Sequence, residues 1–214
     1  MPEEAPTQAC YGLDIGAMSL VAARDDGELL RNECSDTSTK SIVSFSGKQR
    51  HLGEAAANSL STNGRNTATA VGRLALMPHA RLAASPQAAH WQFTHSARDG
   101  GGFEMEAQYN GASRRFSGVQ LLGALLAKVR ATSGAGESPS VALVLPPCIE
   151  AGASQDDKDA ALGFARAAMR DAAAIGGWKP VALPTAMEAA AVALSRKYPE
   201  VAAEGGEGGK GGEG

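Results

Sequence analysis

Residues 141–145 read Val141, Ala142, Leu143, Val144 and Leu145 and stop at Pro146-Pro147. An apolar run without alternation, closed by two prolines, predicts a strand buried on both faces inside a sheet covered by helices. Helical signals flank it. Ser117 with Gln120 three residues later forms a capping box for a helix to about residue 131, with Val119, Leu122, Leu125, Leu126 and Val129 on one face. Ser154 with Asp157 caps a second helix to about residue 174, and Asp156, Asp157 and Asp159 fall in its first turn, where the macrodipole favours negative charge without any metal. Residues 181–183 form a short strand, and Pro184 suits the first turn of a helix over 185–196.

The first half of the chain is richer in strands. Tyr11-Gly12-Leu13-Asp14-Ile15-Gly16 followed by Leu20-Val21-Ala22-Ala23 describes a strand, a tight turn and a returning strand. A third strand is predicted over 28–33, a fourth with alternating faces over 41–45, a short helix over 53–57 and a helical stretch over 66–76. Residues 79–95 carry no clear pattern. Residues 103–109 and 112–116 flank Asn110-Gly111, the pair that satisfies the left-handed dihedrals of a type I′ turn. The order is strands, an inserted hairpin region, then helix, strand, helix, strand, helix. The fold class is an α/β lobe, with a mixed sheet flanked by helices and a smaller α+β subdomain inserted over about residues 38–116.

Gly16 is a candidate phosphate-loop residue, because a positive φ there would leave successive amides facing an anion. Asp14, at the strand end, is a candidate ligand for a hydrated divalent cation travelling with the phosphates. An ordinary hairpin tip accounts for the same glycines.

Several function classes are excluded. The balance of 20 basic against 23 acidic residues gives a net charge of −3, and no basic stripe interleaved with aromatics suggests nucleic acid. Cys10, Cys34 and Cys148 are scattered and form no C-x-x-C pair, which argues against a disulfide framework or structural zinc and for a reducing, cytoplasmic compartment. Cys148 lacks an adjacent His or Lys and reads as a structural thiol. Residues 1–9 read as a flexible leader without the features of a secretory signal, and no apolar run approaches a membrane span. Residues 200–214, mostly Gly and Glu, read as a disordered tail; its Gly209-Lys210-Gly211 lacks the Ser or Thr of a phosphate-binding lysine motif. His51, His79, His90 and His95 show no metal-ligand spacing and read as surface or loop residues. Trp91 and Trp178 read as packing residues. Gly134-Ala135-Gly136 precedes its strand, the reverse of a dinucleotide fingerprint, so an oxidoreductase is remote.

The blocks taken together resemble the nucleotide-binding domain of the seventy-kilodalton heat-shock chaperone family, and more closely its hundred-and-ten-kilodalton branch. Gly12-Leu13-Asp14-Ile15-Gly16 resembles the first phosphate loop of that family. Arg31-Asn32-Glu33-Cys34-Ser35-Asp36, Ser41-Ile42-Val43-Ser44-Phe45, Gly53-Glu54-Ala55, Asn66-Thr67, Arg73-Leu74, Phe116-Ser117-Gly118, Leu145-Pro146-Pro147 and Pro184-Thr185-Ala186 follow in the family's order. The resemblance covers residues 10–199 and implies the first lobe of an actin-like ATPase.

It further implies ATP or ADP with Mg²⁺ as cofactor, with Asp14, Gly16, Ala17 and Met18 as nucleotide-binding residues and Asp14 as the metal residue. The second phosphate loop and the adenosine-binding residues would follow the Pro184-Thr185-Ala186 helix, where this chain carries its Gly and Glu tail. The chemistry is altered as well. Hydrolysing relatives place threonines where Ala17 and Met18 stand, a lysine where Gly72 stands, and a glutamate where Leu183 stands. A cation that stabilises the transferring phosphoryl and a carboxylate that orients metal-bound water are therefore missing, and no catalytic residue is assigned. The expectation is a truncated chaperone lobe that binds nucleotide without turnover, with a heat-shock chaperone or unfolded protein as partner. The alternative is a non-catalytic module that binds a full-length chaperone.

Overall fold

The computed structural model describes residues 9–146 and 154–199. The leader (except Ala9), the Gly and Glu tail and Cys148 lie outside the described residues.

Strand β1 (Cys10–Ile15) turns back into β2 (Ser19–Arg24), and β3 (Ser38–Lys40) pairs along the outer edge of β2. Next come β4 (Ile42–Ser46), β5 (Gln49–Leu52), α1 (Glu54–Ala57), β6 (Thr67–Thr69), α2 (Val71–Leu76) and α3 (His79–Ala83). Strands β7 (Thr94–Ala97), β8 (Phe103–Tyr109) and β9 (Ala112–Ser117) lead into α4 (Gly118–Thr132). The chain then runs through β10 (Ser140–Val144), α5 (Gln155–Gly176), β11 (Lys179–Ala182) and α6 (Ala186–Lys197).

The main sheet has five strands in the order β11-β10-β1-β2-β3. β1 and β10 are parallel, as are β10 and β11, whereas β1 to β2 and β2 to β3 are antiparallel, so the sheet is mixed. Two three-stranded antiparallel sheets, β5-β4-β6 and β7-β8-β9, lie in the chain between β3 and α4. A single core joins the β1 residues Leu13 and Ile15, the β10 residues Val141 and Leu143, Leu122 and Leu126 of α4, Met169 of α5, and Phe45 and Met105 of the smaller sheets. Among the described residues, the main sheet is buried on one face only. Tyr11, Leu13, Ile15, Val141 and Leu143 are covered, while Gly12, Ala142 and Val144 on the other face are half-buried and Asp14 is exposed. The predicted two-sided burial of residues 141–145 is therefore corrected: among the described residues α4 and α5 share the core of one face, and α6 buries none of its residues.

Local chemistry explains most boundaries. The Asn110-Gly111 turn has φ of 56° and 76°, and Ser117 and Gln120 exchange both hydrogen bonds of the capping box. Trp178 is buried and donates its indole N–H to the Leu126 carbonyl at 2.8 Å, tying the end of α5 to α4. Pro184 does not open α6: Thr185 is the N-cap, with its own capping box to Glu188.

Other expectations are corrected. No strand forms over 28–33; Leu29 makes an isolated bridge to Ala23, and the Asn32 side chain organises a loop by accepting from the Cys34 and Asp36 amides and donating to the Ser38 carbonyl. The predicted helix over 66–76 is partly strand, because Thr67–Thr69 pairs with β4 and the Thr67 and Ser44 hydroxyls bond at 2.8 Å. β4 does not alternate, since Val43, Ser44 and Phe45 are all buried between neighbouring layers. Residues 79–95, unpatterned in sequence, hold α3, a 3₁₀ turn and the start of β7.

Candidate functional site

The β1–β2 turn lies at one end of the main sheet. Asp14 stands on the half-covered face of β1, beside Val144 of β10 and Val21 of β2 in register. Its carboxylate makes no hydrogen bond or ion pair with any described residue, which leaves it open to a hydrated cation.

Gly16 does not take the positive φ expected of it. Its amide donates to the Ser19 carbonyl at 3.0 Å and so closes the hairpin instead of facing an anion. The requirement for glycine is steric: a Cβ at this position would stand 2.7 Å from the Ser19 carbonyl oxygen. The amides left without a described acceptor are those of Ala17 and Met18, at the exposed tip.

A cleft of about 440 Å³ opens beside the turn, lined by Asp14, Gly16, Ala17, Arg73, Leu76, Met77, Pro146 and Ala186. Three of the four residues inferred from sequence thus meet in one place. Met18 is the exception, for its side chain is 79% exposed and borders a different cavity of about 360 Å³, walled by Ile42, Leu60, Leu82 and Trp91. Arg73 was legible in the sequence only as one half of an Arg-Leu pair, yet it borders both spaces. Its Nε donates to Met77 Sδ at 3.3 Å, which ties the arginine stem to the residue that follows α2.

Helix α2 is held against the loop by Ser41, whose carbonyl accepts from the Val71 amide at 3.1 Å and whose hydroxyl accepts from the Gly72 amide at 3.2 Å. Gly72 is buried there. A Cβ would lie 2.9 Å from Ile15 Cγ2 and 3.2 Å from the Gly16 carbonyl oxygen, so this position has no room for a side chain. Leu183 does not line the Asp14 cleft; it packs half-buried against the core, and its carbonyl accepts from Arg166 Nε at 3.4 Å.

Mg²⁺ fits this donor set. It keeps most of its waters and commonly takes one or two carboxylates plus substrate phosphates, and Asp14 is one open carboxylate beside free amides. No group of three or more His, Cys, Asp or Glu side chains able to hold a metal occurs among the described residues.

The histidines are not all solitary. His79 Nε2 and His95 Nδ1 bond at 2.9 Å inside an aromatic cluster with Trp91, Phe93 and Phe103. Burial, and then the charge of His79, hold His95 below the usual imidazole range. The expectation of four surface or loop histidines is corrected for this pair. Trp91 and Trp178 are packing residues, as expected.

The family described as Hsp70 protein matches residues 10–196. The chain belongs to the Hsp70 family. Among similar proteins, a heat shock protein homolog of Lachancea kluyveri is 29% identical over 188 residues, covering 85% of this chain and 25% of that protein. Heat shock protein hsp88 of Neurospora crassa is 31% identical over 187 residues, again 85% of this chain and 25% of the relative. The putative heat shock 70 kDa protein 7 of Homo sapiens is 27% identical over 197 residues, 90% of this chain and 50% of that protein. This Hsp70-family chain spans about a quarter to a half of the length of these relatives. Its mixed sheet and flanking helices are those of an actin-like ATPase lobe, within a chaperone-related nucleotide-binding domain.

Proposed function

We propose that this lobe binds ATP or ADP with Mg²⁺ in the Asp14 cleft without hydrolysing it, in a chaperone or co-chaperone role in protein folding. The observation that carries the reading is the convergence of Asp14, Gly16, Ala17 and Arg73 on one cleft beside unbonded loop amides. Asp14 orients the hydrated metal, and the tip amides donate to the phosphate oxygens. When bound, Mg²⁺ would neutralise phosphate charge. Neither Ala17 nor Met18 offers a hydroxyl, Gly72 offers no cation, and Leu183 offers no carboxylate to position a water, so the lobe holds rather than cleaves. The reading includes residues 38–116 as an inserted subdomain, and a cytoplasmic location in keeping with the free thiols of Cys10 and Cys34.

Calorimetry with Mg-ATP tests it. Weak binding is expected of this lobe tested by itself, because the Asp14 cleft is open to one side and affinity follows enclosure. Asp14→Ala should abolish the heat, and phosphate release should stay at the buffer rate. Absence of heat at millimolar nucleotide would sink the reading.

A second reading is a non-catalytic module that docks on a full-length chaperone. It is favoured by α6 and β11, which leave Val181, Met187, Val192 and Leu194 more than half exposed. Nucleotide-independent co-elution with a full-length Hsp70 supports it, and separate elution at micromolar concentrations of both removes it.

A further inference from the structure

Gly72 offers no side chain to the cleft, which leaves open which group balances the phosphate charge. We infer that Arg73 does so, and that the cleft reads a magnesium-bound polyphosphate by its phosphates and not by its base. The inference rests on the nucleotide reading above and sharpens it.

Four observations carry it. Asp14 and Arg73 are the charged residues lining the cleft, one for the metal and one for the anion. No carboxylate among the described residues pairs with the Arg73 guanidinium, whose described side-chain partner is the neutral Met77 sulfur. The close approach of Ile15 Cγ2 and the Gly16 carbonyl to Gly72 brings the next residue of α2 directly beside the loop. The remaining lining residues, Gly16, Ala17, Leu76, Met77, Pro146 and Ala186, carry no side-chain donor or acceptor suited to the edge of a purine.

A guanidinium is the side chain best matched to phosphate oxygens, since its planar fork gives two parallel charge-assisted hydrogen bonds. Lysine in its place would act as a point charge alone. Recognition of this kind is indifferent to what the last phosphate is attached to, so Mg-tripolyphosphate, Mg-ATP and Mg-GTP are equivalent ligands for the described lobe.

The test is titration calorimetry of the full chain with each of these three ligands, on the wild type and on Arg73→Gln, Arg73→Lys and Arg73→Met. Wild type should bind all three within about threefold of one another. Arg73→Gln and Arg73→Met should weaken each by about tenfold or more, as expected for removing a charge-assisted hydrogen bond. Arg73→Lys should recover part of the loss, and added salt should weaken the wild type more steeply than Arg73→Gln. Circular dichroism and urea midpoints confirm that each variant is folded, and Arg73→Met keeps an apolar stem beside Met77. Equal affinity of wild type and Arg73→Gln overturns the role of Arg73 while leaving nucleotide binding intact. Binding of Mg-ATP more than about tenfold tighter than Mg-GTP and tripolyphosphate overturns the phosphate-only recognition. A wild type silent toward all three removes the nucleotide reading and this inference together.

Discussion

Single atoms decide what the β1–β2 turn can do. Gly16 was legible as a turn glycine, but the sequence pointed to the wrong reason, because strand-turn-strand glycines look alike whether they need a positive φ or a close approach. Here the Ser19 carbonyl stands where a methyl would go. Gly16→Ala should lower stability by about 1–3 kcal/mol, the range for forced overpacking, and a urea titration measures it. Asp14 drew notice in the sequence because an acid between two glycines at a strand end has few structural duties, and it makes no hydrogen bond or ion pair with any described residue. Asp14→Asn should leave stability within about 0.5 kcal/mol of wild type in a urea titration, as for surface substitutions away from a network, while removing Mg-nucleotide binding. Arg73 was not legible as a neighbour of the turn. Sequence distance from the turn hides it, and only the packing of α2 against β1 brings the two together.

At the level of elements, local chemistry was readable and long-range pairing was not. The Asn110-Gly111 hairpin and the box linking Ser117 and Gln120 depend on residues within a few positions of one another, and both formed as expected. Ser117→Ala should cost about 1 kcal/mol through the lost cap, seen as a lower urea midpoint. The segment 66–76 went wrong at its first half because β4 recruits Thr67–Thr69, a pairing across some 25 residues that no local pattern announces. Residues 28–33 failed the other way. Their apolar pair, Leu29 and Leu30, suggests a strand, but Asn32 satisfies neighbouring backbone groups with its own side chain and diverts the chain into a loop. Glu188 shows the same local logic at the last helix: hydrogen bonds from the Thr185 backbone, and then its hydroxyl, hold that carboxyl below the usual value.

Across the whole molecule, one core links the main sheet with both small sheets, so urea unfolding should be a single transition with coincident tryptophan fluorescence and far-ultraviolet dichroism. Two separated midpoints would contradict this. Acid should weaken that unit in a defined window. His95 binds a proton less readily folded than unfolded, so stability is full above the unfolded value of 6.5 and falls as pH drops through it toward the lower folded value. His95→Gln should flatten the stability profile between pH 7.5 and 5.5 (about one unit either side of an ordinary imidazole), whereas loss from Glu33, whose burial is outweighed by Lys128, belongs below 4.5. The tight seat of Gly72 also bears on which changes the sequence accepts. Ile15 Cγ2 is a β-branch methyl, and it occupies the space that any residue larger than glycine would need at position 72. Gly72→Lys alone therefore meets a wall on two sides, the Ile15 methyl and the Gly16 carbonyl oxygen, and exchanging isoleucine for leucine, which has no such branch, clears only the first. Position 72 is coupled to its neighbours, and the order of substitutions decides which of them the fold tolerates.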